Sequence, residues 1–125
     1  MRTLAHLALC VAALIFASDF LYDLQTETVT MNVSAYCPCS KCCGDFADGV
    51  TANGYVIQPG DKLIAAPAAY AFGTTMTIPG YGTAVVRDRG GAIKGNKIDL
   101  LFGSHQEALE WGRQFLEVTI HGQEN

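Results

Sequence analysis

Six short apolar runs, each closed by a turn signal, set the limits on what this chain can fold into. Thr28–Tyr36 alternates apolar with polar residues and is rich in β-branched side chains, the pattern of a strand with one covered face. Leu63–Ala66, Thr75–Ile78, Thr83–Arg87, Ile98–Phe102 and Phe115–Ile120 read as five more strands. Asp48-Gly49 and Asn53-Gly54 bracket a very short additional strand, and Pro79-Gly80-Tyr81-Gly82 is a turn. Pro67–Phe72, opened by proline, predicts one helical turn. A single stretch reads as a true helix: Ser104 with Glu107 forms a capping box, Ala108, Leu109 and Trp111 give an apolar face, and Gly112 is the stop. Thirteen glycines in 125 residues and one short helix predict an all-β domain, a small closed barrel of about six strands rather than a parallel sheet.

The remaining segments are organised around this domain. Met1-Arg2 followed by apolar Leu4–Ala17 has the charged and hydrophobic regions of a signal peptide, expected over residues 1–18. Residues 19–27 read as a linker and 28–121 as the domain, one monomer exported to the periplasm, cell envelope or exterior. Asp19 breaks the apolar run short of the ~20 residues a bilayer requires, so membrane contact is expected only through an uncleaved N-terminal segment. The formal net charge of -4 provides no basic field for phosphates, which excludes nucleic acid as an expected partner.

Cys37, Cys39, Cys42 and Cys43 fall in one loop directly after the first strand. In an exported domain this even set reads first as disulfides, in any of the possible pairings, although adjacent Cys42 and Cys43 are poorly placed to pair with each other. Cys39-x-x-Cys42 is also a zinc half-site spacing that the other two thiols could complete, and a redox pair is the third reading. The set is assigned to disulfides, with no metal and no cofactor expected.

The chemistry-bearing stretch is Val85–Trp111. Asp88 lies where a strand gives way to the Gly90-Gly91 turn, and Asp99 interrupts an otherwise apolar strand. A charge there must be paired, hydrogen-bonded or functional, because burying it bare is costly. For Asp88 to donate a proton near neutral pH, desolvation or the charge of Asp99 must raise its pKa. Strand alternation turns Arg87 and Arg89 to the opposite side from Asp88. Residue chemistry alone leaves both aspartates equally suited to catalysis and to turn bonding. His105 is expected on the surface of the helix, and Ser–His and Cys–His nucleophile schemes find no support in the sequence.

Taken together, V-x-D-R-G-G-A-I-K-G-N-K-I-D-L-x-F-x-S-H, Ser34-Ala35-Tyr36, Gly49-Val50-Thr51-Ala52-Asn53-Gly54 and Phe72-Gly73-Thr74 resemble the 3D domain. That family is named for three aspartates and occurs in MltA-type lytic transglycosylases and in stationary-phase survival and resuscitation-factor-like cell-wall proteins. The resemblance implies a double-psi β-barrel that cuts the MurNAc–GlcNAc β-1,4 bond of peptidoglycan without water. Asp88 matches the aspartate implied to be general acid and base, with Asp99 assisting electrostatically. Tyr36, Thr51, Gly54, Gly90, Gly91 and Lys94 are implied to bind the glycan strand. The family's first aspartate has no counterpart here: Ile64-Ala65-Ala66-Pro67 holds no acid, leaving two of three. The alternatives are a non-catalytic carbohydrate-binding barrel and a cysteine-centred metal or redox module.

Overall fold

The computed structural model describes residues 26–44 and 47–123. The expected signal peptide lies outside them, as does all but the end of the expected linker. Six strands close into a barrel: β1 (Glu27–Tyr36), β2 (Leu63–Ala65), β3 (Thr74–Ile78), β4 (Gly82–Asp88), β5 (Lys97–Leu101) and β6 (Gln114–Gln123). Around the wall they run β1-β5-β2-β4-β3-β6. Two neighbouring pairs are parallel, β1 with β5 and β2 with β4, and the rest are antiparallel. The expected six-stranded barrel is the architecture observed.

Alternation builds the interior. Met31 and Val33 of β1, Met76 and Ile78 of β3, Ala84 and Val86 of β4, Ile98 and Leu100 of β5, and Val118 and Ile120 of β6 all point into one buried cluster. β2 is covered on both faces: Ile64 joins that cluster while Leu63 and Ala65 join a second one outside the wall, with Tyr36 and Leu101. This is why β2 reads as an unbroken apolar run, not an alternating one. Loop residues Cys42, Cys43, Tyr55 and Ile57 cover the second cluster.

Among the described residues two helices flank the barrel, α1 (Ser40–Cys43) and α2 (His105–Trp111). α2 starts where expected: Ser104 Oγ accepts from the Glu107 amide at 3.2 Å, and Gly112 ends it at φ +68°. α1, a single turn within the cysteine loop, was not signalled by periodicity. The one helical turn expected at Pro67–Phe72 is instead a hydrogen-bonded turn, with the Tyr70 amide donating to the Pro67 carbonyl at 2.9 Å. The short extra strand expected between the two glycine turns is a single bridge, Val50 to Val56.

Candidate functional site

Strand register brings the two aspartates together. On β1 Ser34 pairs with Asp99 of β5, Asp99 pairs with Ala65 of β2, and Ala65 pairs with Asp88 of β4, giving one row across four strands. A register shift between Ile64 and Ala65 brings Asp88 level with Ala65. Ile98 and Leu100 face the core, so Asp99 between them projects to the opposite side of the wall. There Asp99, Ala65 and Asp88 of the row floor a groove of about 700 Å³, walled by Tyr36, Cys42, Cys43, Thr51, Gly90 and Gly91.

The carboxylates are held differently. Asp88 is committed as an acceptor: Oδ2 takes the Tyr36 hydroxyl at 2.8 Å, and Oδ1 takes the amides of Ala52 and Arg89, each at 2.9 Å. The Ala52 amide is aimed by the Gly49–Gly54 loop. Its Thr51 donates to Asn53 Oδ1 at 2.6 Å and accepts from the Tyr55 amide at 3.1 Å, and Gly54 turns at φ +87°. Asp99 accepts from Ser34 Oγ at 3.0 Å. Desolvation, with a lesser contribution from the Asp88 charge, lifts Asp99 to about 6, against lowering by Ser34 and Arg113. Burial and then Asp88 likewise drive the Tyr36 hydroxyl upward, so it remains a proton donor.

The guanidinium groups of Arg87 and Arg89 are engaged by aromatic rings and carbonyls and not by the carboxylates, although Arg89 also lines the groove. Arg89 sits over the Phe72 ring at 4.0 Å and donates to the Ala66 and Tyr70 carbonyls at 3.2 and 2.9 Å. Arg87 lies over the Tyr55 ring at 4.7 Å. Of the residues expected to bind glycan, Tyr36, Thr51, Gly90 and Gly91 line the groove. Gly54 and Lys94 are exposed and do not line the groove. The raised carboxyl is thus Asp99, the aspartate expected only to assist, while Asp88 is held by three donors. Sequence reasoning missed Ser34 and the Ala52 amide as parts of the site; the first could have been found from a hydroxyl two residues before the strand end.

The cysteines correct two expectations. All four are free thiols, so the expected disulfides of Cys37, Cys39, Cys42 and Cys43 are not formed. Cys37 Sγ stands 2.8 Å from Cys39 Sγ and 3.3 Å from Cys42 Sγ, well beyond the ~2.05 Å of an S–S bond. Cys43 points away, toward the Cys37 carbonyl at 3.3 Å. Burial pushes the Cys37 thiol up, while the hydrogen bond it donates holds Cys39 down. His105, expected on the helix surface, is half-buried against these sulfurs, its Nδ1 3.2 Å from Cys42 Sγ. Cys37, Cys39, Cys42 and His105 thus offer four ligand atoms within 4.8 Å of one another.

The family model described as 3D domain matches residues 56–121. Over 96 residues the chain is 36% identical to YabE of Bacillus subtilis (strain 168), a protein named for cell wall shaping, covering 75% of this chain and 23% of that one. Over 75 residues it is 41% identical to the cell wall-binding protein YocH of the same organism, covering 58% of this chain and 26% of the relative. The chain thus spans about a quarter of the length of the curated relatives it matches.

Proposed function

This chain belongs to the 3D domain family, and on that premise we propose that it is an exported cell-wall protein that cleaves peptidoglycan glycan strands as a lytic transglycosylase. The observation that carries the reading is Asp99: a carboxyl raised to about 6, in a groove whose floor also holds Asp88. A general acid works best with a pKa near the operating pH, and desolvation supplies that here.

In this reaction Asp99 gives its proton to the bridging oxygen as the C1–O bond breaks. The C6 hydroxyl of the same sugar then bonds to C1 and returns its proton to Asp99, leaving a 1,6-anhydro end and a regenerated acid. No water enters, so a second catalytic carboxylate is not required, in contrast to hydrolysis. Asp88 is the positioning residue: its three donors fix it as a carboxylate, and its charge favours the protonated form of Asp99. Tyr36, Thr51, Gly90 and Gly91 form the walls against which a glycan strand would lie.

A second reading, a barrel that binds glycan without cutting it, draws on the absent family acid at Ile64-Ala65-Ala66-Pro67 and on the name of YocH. Incubating the full chain with purified sacculi separates the two. Release of anhydro-muropeptides, abolished by Asp99→Asn, is expected. Binding to sacculi without release would leave the binding module, and neither would refute both.

A further inference from the structure

We infer that Cys37, Cys39, Cys42 and His105 form a structural zinc site that clamps the cysteine loop to the start of α2. The inference stands apart from the glycan reading, because it rests on residues outside the aspartate row and is tested by metal content.

The barrel topology assembles the four ligands. β1 and β5 run parallel, with Tyr36 paired to Leu101, so the two strands end side by side. The chain leaving β1 carries Cys37, Cys39 and Cys42. The chain leaving β5 passes Phe102, whose amide donates to the Tyr36 carbonyl at 2.7 Å, and enters α2 at His105. The Ser104 cap sets that first helical residue, which turns Nδ1 toward the sulfurs at 3.2, 3.7 and 3.8 Å.

These separations suit one ion. Zinc with Zn–S near 2.3 Å and Zn–N near 2.0–2.1 Å in a tetrahedron holds its ligand atoms about 3.5–3.8 Å apart. The three nitrogen-to-sulfur edges bracket that span, and the Cys37–Cys42 edge is 3.3 Å. The Cys37–Cys39 edge, at 2.8 Å, is shorter and has to lengthen when the ion binds. Three thiolates and an imidazole are a soft donor set that favours zinc over calcium or magnesium.

The surroundings are built for thiolates. α1 is a one-turn knuckle in which the amides of Cys42 and Cys43 donate to the Cys39 carbonyl at 3.2 and 2.9 Å, and Gly44 ends it at φ +55°. Cys37 is fully buried at 1% exposure. With four protein ligands the site is closed, which makes it structural and not catalytic. Cys42 itself lines the groove, so the clamp sets one groove wall.

The test is the metal content of the full chain purified without added chelator, with free thiols counted in parallel. One zinc per chain is expected. Cobalt titrated into the metal-stripped, reduced chain should give thiolate-to-cobalt charge transfer and the strong visible bands of tetrahedral coordination. His105→Ala should weaken zinc binding by at least about tenfold, the lower end of what even outer-sphere changes cost. Cys43→Ser should keep full stoichiometry, and His105→Cys should restore tight binding with four sulfurs while circular dichroism confirms a folded barrel. The inference is overturned by a chain that takes up neither zinc nor cobalt, by another metal in place of zinc, by two disulfides replacing the thiols, or by undiminished zinc affinity in a folded His105→Ala.

Discussion

Asp99→Asn should make the domain more stable at neutral pH even as it removes the proposed acid. The folded-state pKa of Asp99 is raised from 3.8 to about 6, chiefly by desolvation. A group with a raised pKa binds more protons folded than unfolded between those two values, so stability falls as pH rises through that window. About two units at about 1.36 kcal/mol each make the cost of the charged form about 3 kcal/mol above pH 6. Asparagine carries no charge to desolvate and keeps an oxygen for the Ser34 hydroxyl, now at 3.0 Å from Asp99. Urea unfolding of wild type and variant at pH 3.5 and pH 7.5 measures the effect. Near-equal stabilities are expected at the lower pH and a variant more stable by about 1–3 kcal/mol at the higher, with the raised pKa setting the upper end of that range. A variant less stable at pH 7.5, or a difference that does not change with pH, would refute the claim that the groove desolvates this carboxyl.

Two further substitutions probe the frame around it. Tyr36→Phe removes the 2.8 Å hydrogen bond to Asp88 Oδ2 and should cost about 1.5–3 kcal/mol at pH 7, the range for a bond to a charged partner; equilibrium unfolding reads it, and a loss below about 0.5 kcal/mol would show that Tyr36 does not anchor Asp88. Ser104→Ala should lose about 1 kcal/mol through its cap on α2, with Ser104→Asp recovering most of it, as thermal melts would show.

Much of the barrel is legible in the sequence because the strands other than the short, doubly covered β2 follow a period of two and each is cut off by a turn. The expected strands differ from those observed by one to three residues at their ends, as β1 at Glu27 and β6 at Gln123 illustrate. Pairing is not legible in this way. Nothing local in Ser34 or Ala65 announces that a parallel β1–β5 pair and a shifted β2 register will set them in a row with both aspartates. The same long-range pairing explains His105, which looks like a surface residue on its own helix until the end of β1 is placed beside the end of β5. The division of labour between the aspartates was likewise hidden. Asp88 looked poised because of its glycine turn, yet its own neighbour Arg89 and Ala52 of the separate Gly49–Gly54 loop aim amide donors at it, while Asp99 receives a single hydroxyl and is desolvated.

The most direct test of the account is the rate of anhydro-muropeptide release from sacculi as a function of pH. If Asp99 donates the proton, the initial rate should hold at low pH, bend near pH 6 and fall about tenfold for each unit above, with Asp99→Asn inactive throughout. A rate that rises through that range, or activity that survives Asp99→Asn, would contradict it.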